Sequence, residues 1–483
     1  MQHFDVAVLG AGSGLIISEA ALKKGLDCAV IEKGAWGGTC LNRGCIPSKM
    51  LVYPADLIRQ AQRGKAVGVD FPEPKIDWAK ITRNMQDQID ANITLEKEMD
   101  SQKGLTTFKG EASFVDSHTL KIRLNDGGIV QITADTIVIA TGARTRIPEI
   151  MGLQETGFQT SESVFGGQFP NAPYESLLII GGGATGCEFA HIFSAMGTKV
   201  TLTALRAHLL RQWEPEISQA LREHMEAQGL SVHTSLNAVS MAKEGGLKHV
   251  TFQDMARGGQ VTLSAQEVFL APGIVPNTDK LNLQAAGILT DHRGFVLTNN
   301  RLNTNLPHVY AIGDANGVDA LRHKANYEAE VLSDILFGTG KRCADYSATP
   351  RAVYTSPQCA SVGMTEQAAR ATGVKVRVAY NRYSDIVAGR AMGYWGSGDD
   401  GGFAKIITDE SGRLMGAHVI GYQAAALVQP FAYLMNAGGP RQMNDPGGLS
   451  PITHAMVIHP SLNELTAWAL GNFTDPPPPQ PLL

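Results

Sequence analysis

One local grammar is written twice in this chain, and few folds accommodate it: an apolar strand, a glycine-rich turn, a helix and a second apolar strand. In the first copy, Phe4-Asp5-Val6-Ala7-Val8-Leu9 runs into Gly10-Ala11-Gly12-Ser13-Gly14, a helical pattern covers residues 16–24, Gly25 caps it, and residues 28–32 resume as a strand. In the second, residues 177–180 lead into Gly181-Gly182-Gly183-Ala184-Thr185-Gly186, a helix to Met196 and a strand at residues 199–203. A glycine turn between strand and helix lets backbone N–H groups approach a pyrophosphate, and the helix N-terminus adds partial positive charge. The repeat therefore predicts two dinucleotide-binding βαβ folds. The second copy matches G-x-G-x-x-G in full at Gly181, Gly183 and Gly186. The first has Leu15 at the sixth position with Gly14 just before it, and Glu32 stands where an acid would hold a ribose hydroxyl pair.

A chain of 483 residues has room for about three domains. Residues 137–142 and 268–273 each read as a buried strand ending at a glycine turn, the closing strands of the two nucleotide folds. From Tyr346 the pattern changes to short alternating strands followed by an apolar helix from Ala424 to Asn436, a separate α+β domain. The fold class is α/β: two Rossmann-like domains and a C-terminal α+β domain. The expected boundaries are 1–150 and 272–345 for the two parts of the first nucleotide domain, 151–271 for the second, 346–474 for the C-terminal domain, and 475–483 for a proline-rich tail. A formal net charge of −5 argues against nucleic acid as a partner. No apolar run reaches the roughly 18–20 residues that span a bilayer, and the first strand begins at once, so the cytoplasm is the expected compartment. Six cysteines are too few and too scattered for a secreted disulfide scaffold.

Only Cys40 and Cys45 lie close together, in Gly37-Gly38-Thr39-Cys40-Leu41-Asn42-Arg43-Gly44-Cys45-Ile46-Pro47-Ser48-Lys49. Cysteines at this spacing bridge only where the backbone between them leaves a regular helix, a departure for which Gly44 and Pro47 are suited. Two unrelated buried cysteines in a small-residue loop remain an alternative. Zinc is disfavoured, because its sites show shorter spacing and two further ligands, and no metal is expected.

Residues 37–49 resemble the active-site signature of the flavin-dependent pyridine nucleotide disulfide oxidoreductases, the family of dihydrolipoamide dehydrogenase, glutathione reductase and mycothione reductase. Ala140-Thr141-Gly142, the second glycine turn, Ala311-Ile312-Gly313-Asp314 and His459-Pro460-Ser461-Leu462-Asn463-Glu464 follow in the family's order. The resemblance implies that the first fold binds FAD, with Gly10, Gly12 and Gly14 at the pyrophosphate, Glu32 at the adenosine ribose and Asp314 near the ribityl chain; Thr39, Thr141 and Gly142 belong to the same site. It implies that Gly181, Gly183, Gly186 and Gly273 serve NADH or NADPH, and that Lys49 and Glu188 form an ion pair beside the flavin. Cys40 and Cys45 become a redox pair, with Cys40 exchanging with substrate and Cys45 facing the flavin. His459 becomes the acid–base group and Glu464 its orienting carboxylate. In the family the histidine comes from the partner subunit, so the C-terminal domain is expected to build a homodimer. The implied activity interconverts a small dithiol and its disulfide, in the manner of dihydrolipoamide dehydrogenase, with a lipoyl-bearing protein as a further partner. The alternative is an NADPH-dependent reductase of the mycothione or glutathione type. A quinone reductase or oxidase, and a structural flavoprotein subunit, are readings of other classes.

Several positions depart from the family pattern. Val457 stands where dihydrolipoamide dehydrogenases usually carry a second histidine, residues 444–451 look inserted, and Ile274 replaces a usual arginine. The second fold's second strand ends Thr203-Ala204-Leu205-Arg206 without the acid of an NADH site. Arg206, His208 and Arg211 suit the 2′-phosphate of NADPH, which is favoured over NADH on that ground. The C-terminus also lacks the cysteine pair of mercuric reductases and the redox pair of large thioredoxin reductases.

Overall fold

The computed structural model describes residues 1–396, 401–437 and 454–459. They form two compact units, residues 1–211 with 222–345, and residues 212–221 with the described chain from Tyr346 onward.

In the first unit, strand Gln2–Leu9 lies between Cys28–Glu32 and Ile129–Ile139, parallel to both, and Leu105–Phe114 and Val309–Ala311 extend the sheet on either side. Parallel strands covered on both faces carry unbroken apolar runs, and residues 6–9, 28–31 and 137–139 are accordingly buried. The second half of Leu105–Phe114 and the first part of Ile129–Ile139 pair instead with the antiparallel strand Thr119–Leu124. Residues 137–139 are thus the end of an inner strand and do not close the sheet; Val309–Ala311 lies outside them. The alternating, half-exposed start of that strand hides its length from a search for buried runs.

A second parallel sheet has the order Glu267–Leu270, Ser176–Ile180, Lys199–Thr203, Ser231–His233. Here the strand at 267–270 does lie at the edge. Helices Gly14–Lys23 and Ala184–Ala195 leave the two glycine turns. The first begins two residues before its apolar pattern does, and this accounts for Leu15. A Cβ on Gly14 would meet Val8 Cγ1 at 2.6 Å, and one on Gly186 would meet the Gly181 carbonyl oxygen at 1.8 Å. Gly14 therefore gives the first helix the close approach to its strand that Gly186 gives the second.

The second unit is a five-stranded antiparallel sheet in the order Arg351–Val353, Gln358–Gly363, Leu414–Gly421, Phe403–Asp409, Val376–Arg382. Helix Ala424–Ala437 contributes Ala424, Val428 and Ala432 to a core with Ala360, Val362, Ala417 and Val419. Residues 212–221, expected within the second nucleotide domain, belong to this unit. There buried Lys405 holds Glu214 at 2.8 Å and Glu216 and Glu366 at 2.9 Å. No described helix is long and apolar enough to cross a membrane.

Gly186→Ala is expected to lower stability by about 1–3 kcal/mol, because the helix must move off its strand. The measurement is the urea midpoint followed by circular dichroism, and an unchanged midpoint would show that the helix shifts at no cost.

Candidate active site

The chain between the two cysteines leaves helical geometry where the spacing required it to. Helix Gly38–Asn42 carries Cys40 and ends at Arg43, and helix Cys45–Arg63 begins afresh after Gly44. A Cβ on Gly44 would come within 3.1 Å of the Thr39 carbonyl oxygen, so the tight return suits a glycine. Pro47 takes no part in the break; it sits in the first turn of the new helix, where a missing N–H costs nothing. Asn42 locks the short helix by donating from Nδ2 to the carbonyls of Trp36 at 2.8 Å and Gly38 at 3.0 Å.

This geometry brings the two thiols into a hydrogen bond. That bond pushes the buried Cys40 thiol well above the usual thiol range, with burial and the neighbouring Cys45 charge adding to it; the cations of Arg322 and Lys49 pull the other way. Lys49 is already neutralised. Its Nζ lies 2.7 Å from Oε2 of Glu188, which projects from helix Ala184–Ala195, with side chains 21% and 9% exposed. Arg322 forms neither a hydrogen bond nor an ion pair among the described residues, and its charge acts on both Cys40 and the buried Asp314 carboxyl. It opens helix Arg322–Phe337, and Ser13 Oγ donates to Asn326 Oδ1 at 3.0 Å one turn further on. The sequence offered no motif that would have singled out Arg322.

The expected FAD residues gather at the carboxyl ends of the first parallel sheet, where such sheets bind ligands. Glu32 Oε2 accepts from the Ala11 N–H at 2.9 Å, and Oε1 from the Gly34 N–H at 2.7 Å. A cleft of about 250 Å³ opens beside Gly10, Glu32 and Thr141, away from the cysteines. Thr141 Oγ1 is buried without a partner, and Gly142 follows at the end of the same strand. Asp314 sits past Val309–Ala311; burial pushes its carboxyl up, Lys324 opposes this, Glu328 adds to it and Arg322 opposes it again, and no described group hydrogen-bonds to it. An orphaned hydroxyl, a carboxylate without a donor and a glycine turn at one sheet edge fit a dinucleotide such as FAD. Thr39 is exposed next to Cys40.

Gly181, Gly183 and Gly186 form the turn of the second sheet, and Gly273 follows its edge strand, its carbonyl accepting from Arg146 N–H at 2.9 Å. Arg206, His208 and Arg211 are exposed in the loop after Lys199–Thr203. His459 is half-buried at the end of the described stretch 454–459 in the second unit. Glu464, the expected insertion at 444–451 and the proline-rich tail lie outside the described residues.

Residues 4–329 match the family described as pyridine nucleotide-disulphide oxidoreductase, and residues 349–470 match that family's dimerisation domain. The chain is 32% identical to a dihydrolipoyl dehydrogenase of Mycobacterium bovis, over 89% of this chain and 90% of that protein. It is also 32% identical to a mycothione reductase of Mycobacterium tuberculosis, over 91% and 94%. Among solved structures, the Cu(II) complex of the HOCl-induced flavoprotein disulfide reductase RclA from Escherichia coli superposes with a TM-score of 0.79 at 25% identity, covering 97% of this chain and all of that one.

Arg322→Met is expected to raise the Cys40 thiol pKa, since it removes a cation that favours the thiolate. In the reduced protein this slows alkylation by iodoacetamide at neutral pH and moves the rate profile to higher pH. An unmoved profile would deny Arg322 any influence on Cys40.

Proposed function

The chain belongs to the pyridine nucleotide-disulphide oxidoreductase family and is a flavin-dependent disulfide oxidoreductase with a dimerisation domain, and from that premise we propose that Cys40 and Cys45 are its redox pair, interconverting a small dithiol and its disulfide. The observation that carries this reading is the hydrogen bond between the two thiols, beside the Lys49–Glu188 ion pair.

Gly10, Gly12, Gly14, Glu32, Thr39, Lys49, Thr141, Gly142 and Asp314 would hold FAD, and Gly181, Gly183, Gly186 and Gly273 the nicotinamide nucleotide. FAD, when bound, supplies two-electron transfer between the nicotinamide and the cysteine pair. In the reduced protein the Cys40 thiolate attacks one sulfur of the substrate disulfide. A mixed disulfide to Cys40 forms, the substrate S–S bond breaks, and the departing thiolate takes a proton from His459. Cys45 then attacks the Cys40 sulfur, closing the Cys40–Cys45 disulfide and releasing the second thiol. The net change is NAD(P)H, a proton and a disulfide giving NAD(P)⁺ and two thiols. Glu464 orients the imidazole and stabilises its cationic form, and His459 reaches the cysteines from the partner subunit of a homodimer. A lipoyl group carried on a protein belongs to the same substrate class.

A second reading, an NADPH-dependent reductase of the mycothione or glutathione type, is favoured by the exposed Arg206, His208 and Arg211 after a strand with no terminal acid. Steady-state turnover with NADH and NADPH against lipoamide, glutathione disulfide and mycothione separates the two readings. Cys40→Ser is expected to lower disulfide turnover by about a thousandfold or more, as loss of a nucleophile does; full activity with quinones alone would make the enzyme a quinone reductase. Cys45→Ser is expected to abolish the long-wavelength absorbance of the two-electron-reduced protein, and its survival would refute the assignment of Cys45. Arg211→Glu is expected to raise KM for NADPH about tenfold with little change for NADH, the loss of one charge-assisted contact; equal changes for both would remove Arg211 from the nucleotide site.

A further inference from the structure

Helix Ala424–Ala437 buries Ala424, Ala425, Val428, Gln429 and Ala432. Four of these are apolar or small, and the fifth is a carboxamide with 0% exposure. A buried amide is costly unless its donors and acceptor are matched, and here they are. Gln429 Nε2 donates to the Met456 carbonyl at 3.1 Å, and Gln429 Oε1 accepts from the Ile458 N–H at 2.9 Å.

The two backbone groups held by Gln429 flank Val457, so one side chain grips the chain as a neighbouring strand would. Met456 and Ile458 are buried at 4% and 1%, while Val457 and His459 are half-buried and alternate with them. The grip thus fixes which face His459 occupies.

We propose that Gln429 is a positioning residue for His459, its carboxamide clamping the backbone on both sides of Val457 so that the imidazole is presented for proton transfer to the departing thiolate. This rests on the acid–base role given to His459 above. Gln429 itself touches neither substrate nor cofactor, and its effect is confined to the thiol–disulfide half of the cycle.

The test uses the full-length, FAD-loaded dimer and compares Gln429→Met, which keeps the volume and removes the hydrogen bonds, with His459→Ala and the double variant. Turnover of NAD(P)H is measured with a small disulfide and with ferricyanide, an acceptor that needs no thiol–disulfide exchange. In Gln429→Met, kcat with the disulfide is expected to fall about tenfold to a hundredfold with KM little changed, the usual cost of a misplaced catalytic group, while ferricyanide turnover stays at the wild-type level. Gln429→Met is expected to add no loss in the His459→Ala background. An equal loss in that background, a parallel loss with ferricyanide, or unchanged disulfide turnover each overturns the proposal. If His459→Ala alone leaves disulfide turnover intact, it is the acid–base reading that fails; if it lowers turnover and Gln429→Met does not, it is the clamp. Should Gln429→Met not assemble, Gln429→Glu takes its place with the same readouts, since it keeps the acceptor for the Ile458 N–H but loses the donor to Met456.

Discussion

The approach of Gly38 to Gly12 is the constraint on which the site depends. A Cβ on Gly38 would lie 2.9 Å from the Gly12 Cα, and Gly38 has a φ of +68°, so both the contact and the backbone exclude a side chain. The Gly37 N–H donates to the Ala11 carbonyl at 2.8 Å, and the Ala11 N–H is in turn held by Glu32. One short run of backbone therefore joins the end of the second strand, the first glycine turn and the helix that carries Cys40. The cysteine pair is fastened to the turn itself, and neither could be displaced without the other.

Charges around this junction follow a consistent physical pattern. Lys324 and Glu328 are wholly buried and 3.2 Å apart; Lys324 also reaches the Gly313 carbonyl and Asn316 Oδ1 at 2.9 Å, and Glu328 accepts from the Gly313 N–H and Asn316 Nδ2. A buried pair with its remaining valences satisfied holds one geometry, and losing either partner is severe, about 3–5 kcal/mol. What it holds is the turn of residues 313–316, and so Asp314. Lys49 is paired with Glu188, whereas the Arg322 cation forms no ion pair among the described residues and acts on both Cys40 and Asp314. The buried charges are paired where they shape the backbone, and the Arg322 cation is shared between Cys40 and Asp314.

Features with local signatures were legible in the sequence: two strand–turn–helix units, the cysteine loop, and the change of pattern at residue 346. Each depends on residues near one another along the chain. Leu15 misled only in part, because the glycine needed for close packing stands one place earlier. What could not be read depends on partners distant in sequence. Residues 212–221 fall inside the expected second nucleotide domain until Lys405 is placed beside Glu214 and Glu216. Arg322 is one arginine among many until its helix is docked by Ser13 and Asn326, and Gln429 is an anomaly in an apolar stripe until residues 456–458 lie against it.

The backbone also gives the two sulfurs unequal surroundings, which supplies a physical reason for the division of roles proposed for them. Cys45 is the first residue of a 19-residue helix, where the unpaired N–H groups and the helix dipole favour a thiolate. Cys40 lies in a helix of five residues, too short for that effect, and its thiol is pushed up by Cys45 and by burial. The Cys45 hydrogen bond and burial favour the protonated form of Cys40. On the proposed reading, the acid–base histidine therefore serves the Cys40 side of the pair.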